Sequence, residues 1–311
     1  MKERYVYGPV PSRRLGRSLG VDLVPHKVCS YDCLYCQIGR TTKKTIARKP
    51  YMPVDEILNQ LEGKLKEGPR PDYITLAGSG EPTLHSELGT LIHRIKALSS
   101  VPVAVLTNGS LLGNRRVREA LMKADAVLPS LDAHDQKGFE AINRPHPDIT
   151  FETMVNGLID FRKDFSGEIW LEIFLLDGIN ATVADALKFK DWVDKLSPEK
   201  VHINTAVRPT AEAFARQVLQ EQMEQFCGVL GENAEVIAPF EDSKKHEKGD
   251  AMEEDLLNLL ARRPCTLDDM ASGLNVHRND LLKYLDPLLK NQTIQSMRKG
   301  SQIYYQAGDV Q

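Results

Sequence analysis

The chain has 311 residues, 41% of them hydrophobic, and a formal net charge of −3 at pH 7. This length suggests about two domains with ordinary apolar cores, and so small a charge excludes a general attraction to nucleic acid or to an anionic membrane. The amino terminus lacks the apolar core of a secretory signal, and the apolar stretches are far shorter than the ~20 residues of a membrane-spanning helix. With five cysteines and no export signal, we expect a soluble protein of the reducing cytoplasm.

Strand-like and helix-like segments alternate along the first 240 residues or so. The predicted strands are 19–24, 73–77, 101–106, 126–131, 169–175 and 200–204. The predicted helices are 54–66, 84–98, 114–123, 151–165, 183–196 and 212–230. Six such units predict an α/β fold with a parallel sheet wound right-handed, either open or curled into a partial barrel. The pattern alone does not choose between the two.

Three cysteines stand close together in the segment VCSYDCLYCQIG. Cys29, Cys33 and Cys36 have the spacing Cys-x3-Cys-x2-Cys. Three thiolates in this arrangement can hold three irons of a 4Fe–4S cluster and leave the fourth iron open to another ligand. Structural zinc would need a fourth ligand, and no CxxC or HxxxH pair follows. A disulfide framework would be unusual in a chain this long with five cysteines, so the spacing favours the cluster.

Polar motifs follow the predicted strands at the points where the strands end. They are GSGEP at 78–82, TNG at 107–109, SLD at 130–132 and INTAVRP at 203–209. Because ligands of barrels and open α/β sheets bind at the carboxyl ends of the strands, these motifs predict one shared site. In the strand 169–175, alternation with Trp170 and Phe174 predicts that Glu172 points into the barrel, where a buried carboxylate would need a partner.

Taken together, these motifs resemble the radical S-adenosylmethionine (SAM) superfamily. Its hallmark is this cysteine spacing with an aromatic residue, here Tyr35, directly before the third cysteine. The segments YGPVPSRRLGRSLGVDLVP, TLAGSGEPTL, LTNGSLL, SLDAHD, INRP, LDGIN and INTAVRP read in order like the branch that contains the tRNA wybutosine synthases. The resemblance covers roughly residues 5–240 and implies a (β/α)6 partial TIM barrel, which we expect over residues 1–238.

The resemblance also implies the chemistry and the cofactors. In the superfamily, the amino and carboxylate groups of SAM bind the open iron of one 4Fe–4S cluster. One electron from the reduced cluster cleaves SAM, and the resulting 5′-deoxyadenosyl radical abstracts hydrogen from a substrate. The protein supplies orientation and a closed site. A one-electron donor such as flavodoxin or ferredoxin is the implied partner.

Individual contacts to SAM are less specific than the cysteine motif. Glu81 can accept a hydrogen bond from the SAM ammonium group, although an isolated glutamate is more often solvated or begins a helix. Asn and Asp side chains also stabilise loops by binding backbone groups, so their roles stay open. The candidate SAM-binding residues are Tyr35, Gly78, Gly80, Glu81, Asn108, Ser130 and Asp132.

One departure from the wybutosine synthases concerns the substrate. Those enzymes carry a second cluster, bound by further cysteines ahead of the shared three. Here no cysteine precedes Cys29, and Cys227 and Cys265 are isolated. We therefore do not expect the pyruvate-dependent ring closure on tRNA. A tRNA-modifying enzyme remains an alternative, with the substrate unassigned.

The alternating pattern ends near residue 239. Residues 239–250 are charged and aperiodic, as in an exposed linker. Over residues 251–311, three helix candidates and a hairpin around Lys299 and Gly300 resemble a winged helix-turn-helix domain, with Thr266 and Asp269 spaced as a capping box. We expect a separable domain that selects the substrate, RNA or protein, without helping to generate the radical.

A regulator from a different functional class is the alternative, namely a DNA-binding protein whose cluster senses SAM or redox state. Residues 250–311 carry seven Lys or Arg against nine Asp or Glu, a poor balance for a DNA-binding domain. Residues 277–305 alone have a net charge of +3, which leaves room for a local basic patch. A sensor would not need the full set of SAM-binding motifs, so the sequence favours the enzyme.

Overall fold

This computed structural model describes residues 4–67, 70–237, 253–274, 278–300 and 302–308 of the chain. The predicted linker, 239–250, lies outside the described residues. The strands are β1 Val6–Ser12, β2 Gly16–Asp22, β3 Val28–Cys29, β4 Lys43–Lys44, β5 Tyr73–Ala77, β6 Val103–Thr107, β7 Ala126–Pro129, β8 Glu168–Leu175, β9 Lys200–Thr205, β10 Ala234–Val236, β11 Cys265–Thr266, β12 Ile294–Lys299 and β13 Gln302–Ala307. The helices are α1 Val54–Glu67, α2 Leu88–Leu98, α3 Arg115–Leu121, α4 Gln136–Asn143, α5 Phe151–Asp164, α6 Val183–Leu196, α7 Gln220–Leu230, α8 Glu253–Arg262, α9 Leu267–Leu274 and α10 Arg278–Lys290.

An eight-stranded sheet with the order β1-β2-β5-β6-β7-β8-β9-β10 forms the main body. β1 pairs antiparallel with β2, and every later pair in the sheet is parallel. The fold is therefore the expected α/β partial barrel, extended by β1 at one edge and β10 at the other. All six predicted strands are present, which confirms the alternating pattern, with ends shifted by a few residues.

The helices around the barrel bury one apolar face each. In α5, Phe151, Met154, Leu158 and Phe161 are buried at helical spacing. Thr150 begins this helix with a capping box, since its side chain accepts from the Thr153 backbone N–H while the Thr153 hydroxyl accepts from the Thr150 N–H. These faces cover the sheet from outside, so the interior of the barrel is left for other groups.

A small apolar cluster fills the barrel interior near the amino ends of its strands. Leu15, from the turn between β1 and β2, packs with Ala104, Ala126, Leu128 and Trp170. Ala104 and Ala126 lie at the start of β6 and β7. The cluster therefore forms a floor, and the space above it opens toward the carboxyl ends of the strands.

The elements from α8 to β13 form a C-terminal unit with its own three-stranded sheet in the order β11-β13-β12. Thr266 and Asp269 make the predicted capping box: the Thr266 N–H donates to Asp269 Oδ2 at 3.0 Å, and the Asp269 N–H donates to Thr266 Oγ1 at 3.1 Å. The order α8-β11-α9-α10-β12-β13 agrees with a winged helix-turn-helix, which remains a prediction.

The C-terminal unit packs against both edges of the partial barrel. At the first edge, Val10 of β1 belongs to the same apolar cluster as Leu256, Leu259 and Met270 of α8 and α9. At the other edge, Lys299 Nζ donates to backbone carbonyls that follow β9, at 2.7 and 2.8 Å. These contacts show where the unit packs in the folded chain, and the separable domain that the sequence led us to expect stays a prediction.

Candidate functional site

A cavity of about 410 Å³ lies inside the barrel at the carboxyl ends of the strands. Nine of the ten predicted site residues line it, and Asp132 does not. The nine are Cys29, Cys33, Tyr35, Cys36, Gly78, Gly80, Glu81, Asn108 and Ser130. Motifs that are far apart in the sequence therefore meet in one place, because parallel strands bring their carboxyl ends to the same edge.

The thiols of the cysteine loop receive hydrogen bonds from two amides. Asn108 Nδ2 donates to Cys29 Sγ at 3.6 Å, and Asn143 Nδ2 donates to Cys33 Sγ at 3.5 Å. Burial raises the pKa of the Cys29 thiol to about 12 and that of Cys33 well above its usual value. A bound cation reverses this effect and deprotonates a coordinating thiol. The amide donors then stabilise the thiolates.

The three cysteines are not arranged to hold a single metal ion. Across the described segments, no three His, Cys, Asp or Glu side chains converge closely enough to hold one ion. A cubane cluster makes no such demand, because each iron takes its own thiolate and the ligands surround a larger body. Neither Cys227 nor Cys265 lines the cavity, so the cavity wall has the three thiols of Cys29, Cys33 and Cys36.

The two glycines of GSGE lie so close to neighbouring atoms that a side chain at either position would clash with them. Gly78 has φ +110°, and a Cβ there would lie 1.5 Å from Asp22 Oδ1. A Cβ on Gly80 would lie 1.9 Å from the Val28 carbonyl oxygen, next to the cysteine loop. Asp22 Oδ1 also accepts the Ser79 N–H at 2.8 Å. The loop is therefore held against the end of β2, with its backbone exposed to the cavity.

Glu81 is buried and connects two loops of the site. Its Oε1 accepts from the Thr83 N–H at 3.0 Å and from the hydroxyls of Thr83 and Thr107 at 2.6 Å each. Its Oε2 accepts from the Asn108 N–H at 2.8 Å. Burial raises the pKa of this carboxyl group, while the four donors oppose the rise. Glu81 therefore positions Asn108, in addition to any contact with SAM.

Replacing Glu81 by alanine should weaken SAM binding and also destabilise the fold. Four buried donors would lose their acceptor, so we expect the free energy of unfolding to fall by about 3 kcal/mol or more. Urea denaturation and SAM titration check the two effects. Glu87→Ala, at an exposed position that makes no side-chain cap to α2, is the matched control. If the Glu81 and Glu87 variants behaved alike in both measurements, this role of Glu81 would be wrong.

Asp132 lies behind Tyr35 rather than in the cavity wall. Its Oδ2 accepts from the Tyr35 hydroxyl and from Asn143 Nδ2, and its Oδ1 accepts the Phe174 N–H at 3.0 Å. The Tyr35 ring stacks on Phe174 with 4.0 Å between centroids. Burial raises the pKa of Asp132 to about 6. Asp132 therefore positions Tyr35 and Asn143, and its contact with SAM stays a prediction.

Asn143 is a site residue that the sequence reasoning did not assign. It ends α4 and donates to both Cys33 and Asp132. The segment INRP, which contains it, is among the segments that resemble the superfamily. The INRP motif was therefore the feature of the sequence that could have identified Asn143 as a site residue.

Glu172 points into the barrel as predicted, and its partners come from distant segments. Arg14 Nη1 lies 2.6 Å from Glu172 Oε2, and Asn204 Nδ2 donates to Glu172 Oε1 at 2.8 Å. Although Glu172 is buried, its pKa is lowered, because these two partners outweigh desolvation. Arg13 Nη1 in turn donates to Asn204 Oδ1 at 3.3 Å. The part of the cavity around Glu172 and Asn204 is therefore polar and rich in arginine.

The C-terminal unit supplies part of the cavity wall through Leu259, Arg262 and Arg263. Arg262 Nη2 lies 2.8 Å from Asp22 Oδ2, and both side chains are nearly buried. The Arg262 guanidinium also lies over the Tyr7 ring, 3.9 Å from its centroid. Asp22 accepts a hydrogen bond from the Ser79 N–H and also pairs with Arg262. Through Asp22, the C-terminal unit therefore contacts the GSGE loop.

The chain is similar in sequence to several known proteins over most of its length. The chain is 40% identical over 94% of its length to the GTPase Obg of Brachyspira hyodysenteriae, but it spans only 43% of that protein. It is 35% identical to the UPF0026 protein MJ1312 of Methanocaldococcus jannaschii, covering 86% of this chain and 85% of the relative. A UPF0026 protein of Helicobacter pylori is 32% identical, with 96% of each chain covered.

Solved structures with the same fold include radical SAM proteins. A radical SAM methyltransferase from Sphaerobacter thermophilus aligns with a TM-score of 0.53 and 19% identity, over 70% of this chain and 65% of that one. The FeFe-hydrogenase maturase HydG from Carboxydothermus hydrogenoformans aligns with a TM-score of 0.50 and 13% identity, over 86% and 58%. Residues 23–189 match the family model of the radical SAM superfamily. The chain therefore belongs to the radical SAM superfamily, and within it to the family of UPF0026 proteins.

Proposed function

We propose that Cys29, Cys33 and Cys36 hold one 4Fe–4S cluster in this cavity and that the loops after β5, β6 and β7 bind SAM beside it. The carrying observation is that the cysteines and the GSGE and TNG residues line one cavity. Asn108 supports this arrangement, because its side chain donates to Cys29 Sγ and its backbone N–H to Glu81.

Enzymes of the superfamily use a 4Fe–4S cluster and SAM. When bound, the cluster supplies the electron that cleaves SAM to methionine and a 5′-deoxyadenosyl radical, which removes hydrogen from the substrate. The chain's own residues provide the surroundings. Gly78 and Gly80 let the GSGE loop pack against Asp22 and Val28, Tyr35 is fixed by Asp132 and Phe174, and the C-terminal unit supplies part of the cavity wall.

Radical SAM enzymes generally need an electron donor, and for this chain we propose flavodoxin or ferredoxin. All five cysteines are free of disulfides, which fits the reducing cytoplasm as the location. No helix in the described part of the chain is long and apolar enough to cross a membrane.

The contacts of the C-terminal unit favour the enzyme over a DNA-binding regulator. Lys299, next to the turn of the predicted wing, donates to the carbonyls of Ala206 and Arg208 and is therefore engaged with the barrel. Burial lowers the pKa of this lysine. An RNA or protein substrate held by the unit would have to use other residues.

Anaerobic reconstitution followed by reduction tests this function. The protein should take up about four irons per chain, as one cubane cluster requires. After reduction with dithionite it should convert SAM slowly to 5′-deoxyadenosine, even without substrate. If S-adenosylhomocysteine were the main product and no 5′-deoxyadenosine formed, the proposed chemistry would be wrong.

A further inference from the structure

Five arginines line the cavity. Arg14 is paired with Glu172 and Arg262 with Asp22, which leaves three others. Arg13 comes from the turn between β1 and β2, Arg208 follows β9, and Arg263 follows α8. β1 is one edge of the sheet and β9 lies next to the other, whereas the loops of the proposed SAM site follow β5, β6 and β7 in its middle. Arg13 therefore reaches the cavity from the turn before β2, whereas Arg208 and Arg263 reach it from the segment after β9 and from the C-terminal unit.

Among the residues that the structure describes, only one of these three guanidinium groups makes an ion pair, although Asp269 also interacts electrostatically with Arg263. Arg208 lies 3.1 Å from Asp269 Oδ1. The nearby Glu172 is already paired with Arg14, and Arg13 donates to the uncharged amide of Asn204. Neither Arg13 nor Arg263 makes an ion pair within the described ranges. The cavity thus carries an excess of positive charge at these arginines.

This excess is costly without a bound anion. Burial lowers the pKa of Arg13 to about 10, and the charge of Arg208 lowers it further while Glu172 opposes the fall. The pKa of Arg208 is lowered by burial and then by Arg263. Like charges that repel in a poorly hydrated space are stabilised when an anion lies between them.

We propose that Arg13 and Arg263 bind an oxyanion of the substrate, either a carboxylate or a phosphate. Guanidinium groups suit both, because their paired N–H donors match the oxygens of these groups. The inference rests on the proposed function, since the oxyanion would anchor the substrate in the cavity that holds SAM. It also makes the C-terminal unit, through Arg263, part of the substrate site.

Isothermal titration of the full-length chain with inorganic phosphate, and separately with acetate, tests the subsite. Titrations are made at constant ionic strength, with and without the reconstituted cluster. One anion should bind per chain, and the preferred one identifies the chemical class. Arg13→Gln and Arg263→Gln should each weaken binding about tenfold or more, and Arg13→Lys should retain part of it. Arg17→Gln is the matched control, because Arg17 lies on the same hairpin but pairs with Asp72 outside the cavity.

Binding of phosphate or acetate that persists with SAM at saturation would support a substrate subsite. Competition by SAM would overturn it, because the anion would then be the carboxylate of SAM itself. Equal binding by all variants, or no binding of either anion, would also overturn it. The iron and 5′-deoxyadenosine assays are independent of these titrations. If the chain formed no cluster on reconstitution but still bound the anion, the missing cluster would refute the proposed function, and the anion binding would support the oxyanion subsite.

Discussion

Replacing Cys29, Cys33 and Cys36 together by alanine should abolish iron binding and SAM cleavage while the chain stays folded. The cavity holds no other thiol, so no ligand would remain for the irons. The fold should survive, because Cys29 ends the two-residue strand β3, Cys33 and Cys36 lie in the loop that follows, and all three residues are half-buried. Iron and labile sulfide after anaerobic reconstitution, the paramagnetic signal of the reduced protein and the yield of 5′-deoxyadenosine measure the loss.

The other two cysteines provide a matched control for this variant. Cys227 lies in α7 and Cys265 in the core of the C-terminal unit, and neither lines the cavity. Replacing both by alanine should cost about 1–2 kcal/mol of stability at the buried site and leave the iron content unchanged. A triple variant that kept its cluster would refute the assignment of the ligands.

The cysteines and the GSGE loop could be recognised from sequence because their chemistry is local. Close spacing in the chain forces the three thiols to be neighbours, and the end of a parallel strand forces the glycines into the same region. Apolar runs such as 101–106 and 126–131 likewise predicted strands, which the structure has as β6 and β7, since a parallel strand is buried on both faces.

Several elements were missed because their local signals favour other structures. β1 contains Gly8, Pro9 and Pro11, residues that weaken a strand prediction, yet it pairs as an edge strand, where proline is tolerated. The last helix of the barrel was expected from residue 212 and begins at Gln220. Glu212 is instead used by Arg144 and by Arg40, at 2.5 and 2.7 Å.

Side-chain direction and long-range pairs lie beyond sequence reasoning of this kind. Asp132 was placed correctly at the end of a strand, but nothing in SLDAHD shows that it turns behind Tyr35. Arg14 and Glu172 are 158 positions apart, and Arg262 and Asp22 are 240 apart. Such pairs are decided by how the sheet curves and by where the C-terminal unit packs.

A chain truncated after residue 237 should lose most of its SAM binding and become prone to aggregation. Removal of the C-terminal unit would expose the apolar surface around Val10 and take Arg262 from Asp22 and Asp269 from Arg208. Breaking a buried ion pair by removing one partner costs about 3–5 kcal/mol. Size-exclusion chromatography, urea denaturation and SAM titration measure the outcome. The same truncation tests the separable domain inferred from sequence, which stays a prediction.

Arg262→Gln isolates the contribution of the Asp22 ion pair from that of the apolar contacts. Asp22 would remain buried without its cation, and its pKa, which burial already raises, should rise further. A protonated Asp22 would hold the Ser79 N–H less strongly, so SAM should bind more weakly while the iron content stays close to normal. Arg278→Gln, which breaks an exposed pair with Asp268 in the same unit, should change neither SAM affinity nor iron content by much.

The truncation has an outcome that would contradict the expectation for it. A chain truncated after residue 237 that stays monomeric, keeps its cluster and cleaves SAM at the normal rate would show that the barrel is complete without the C-terminal unit.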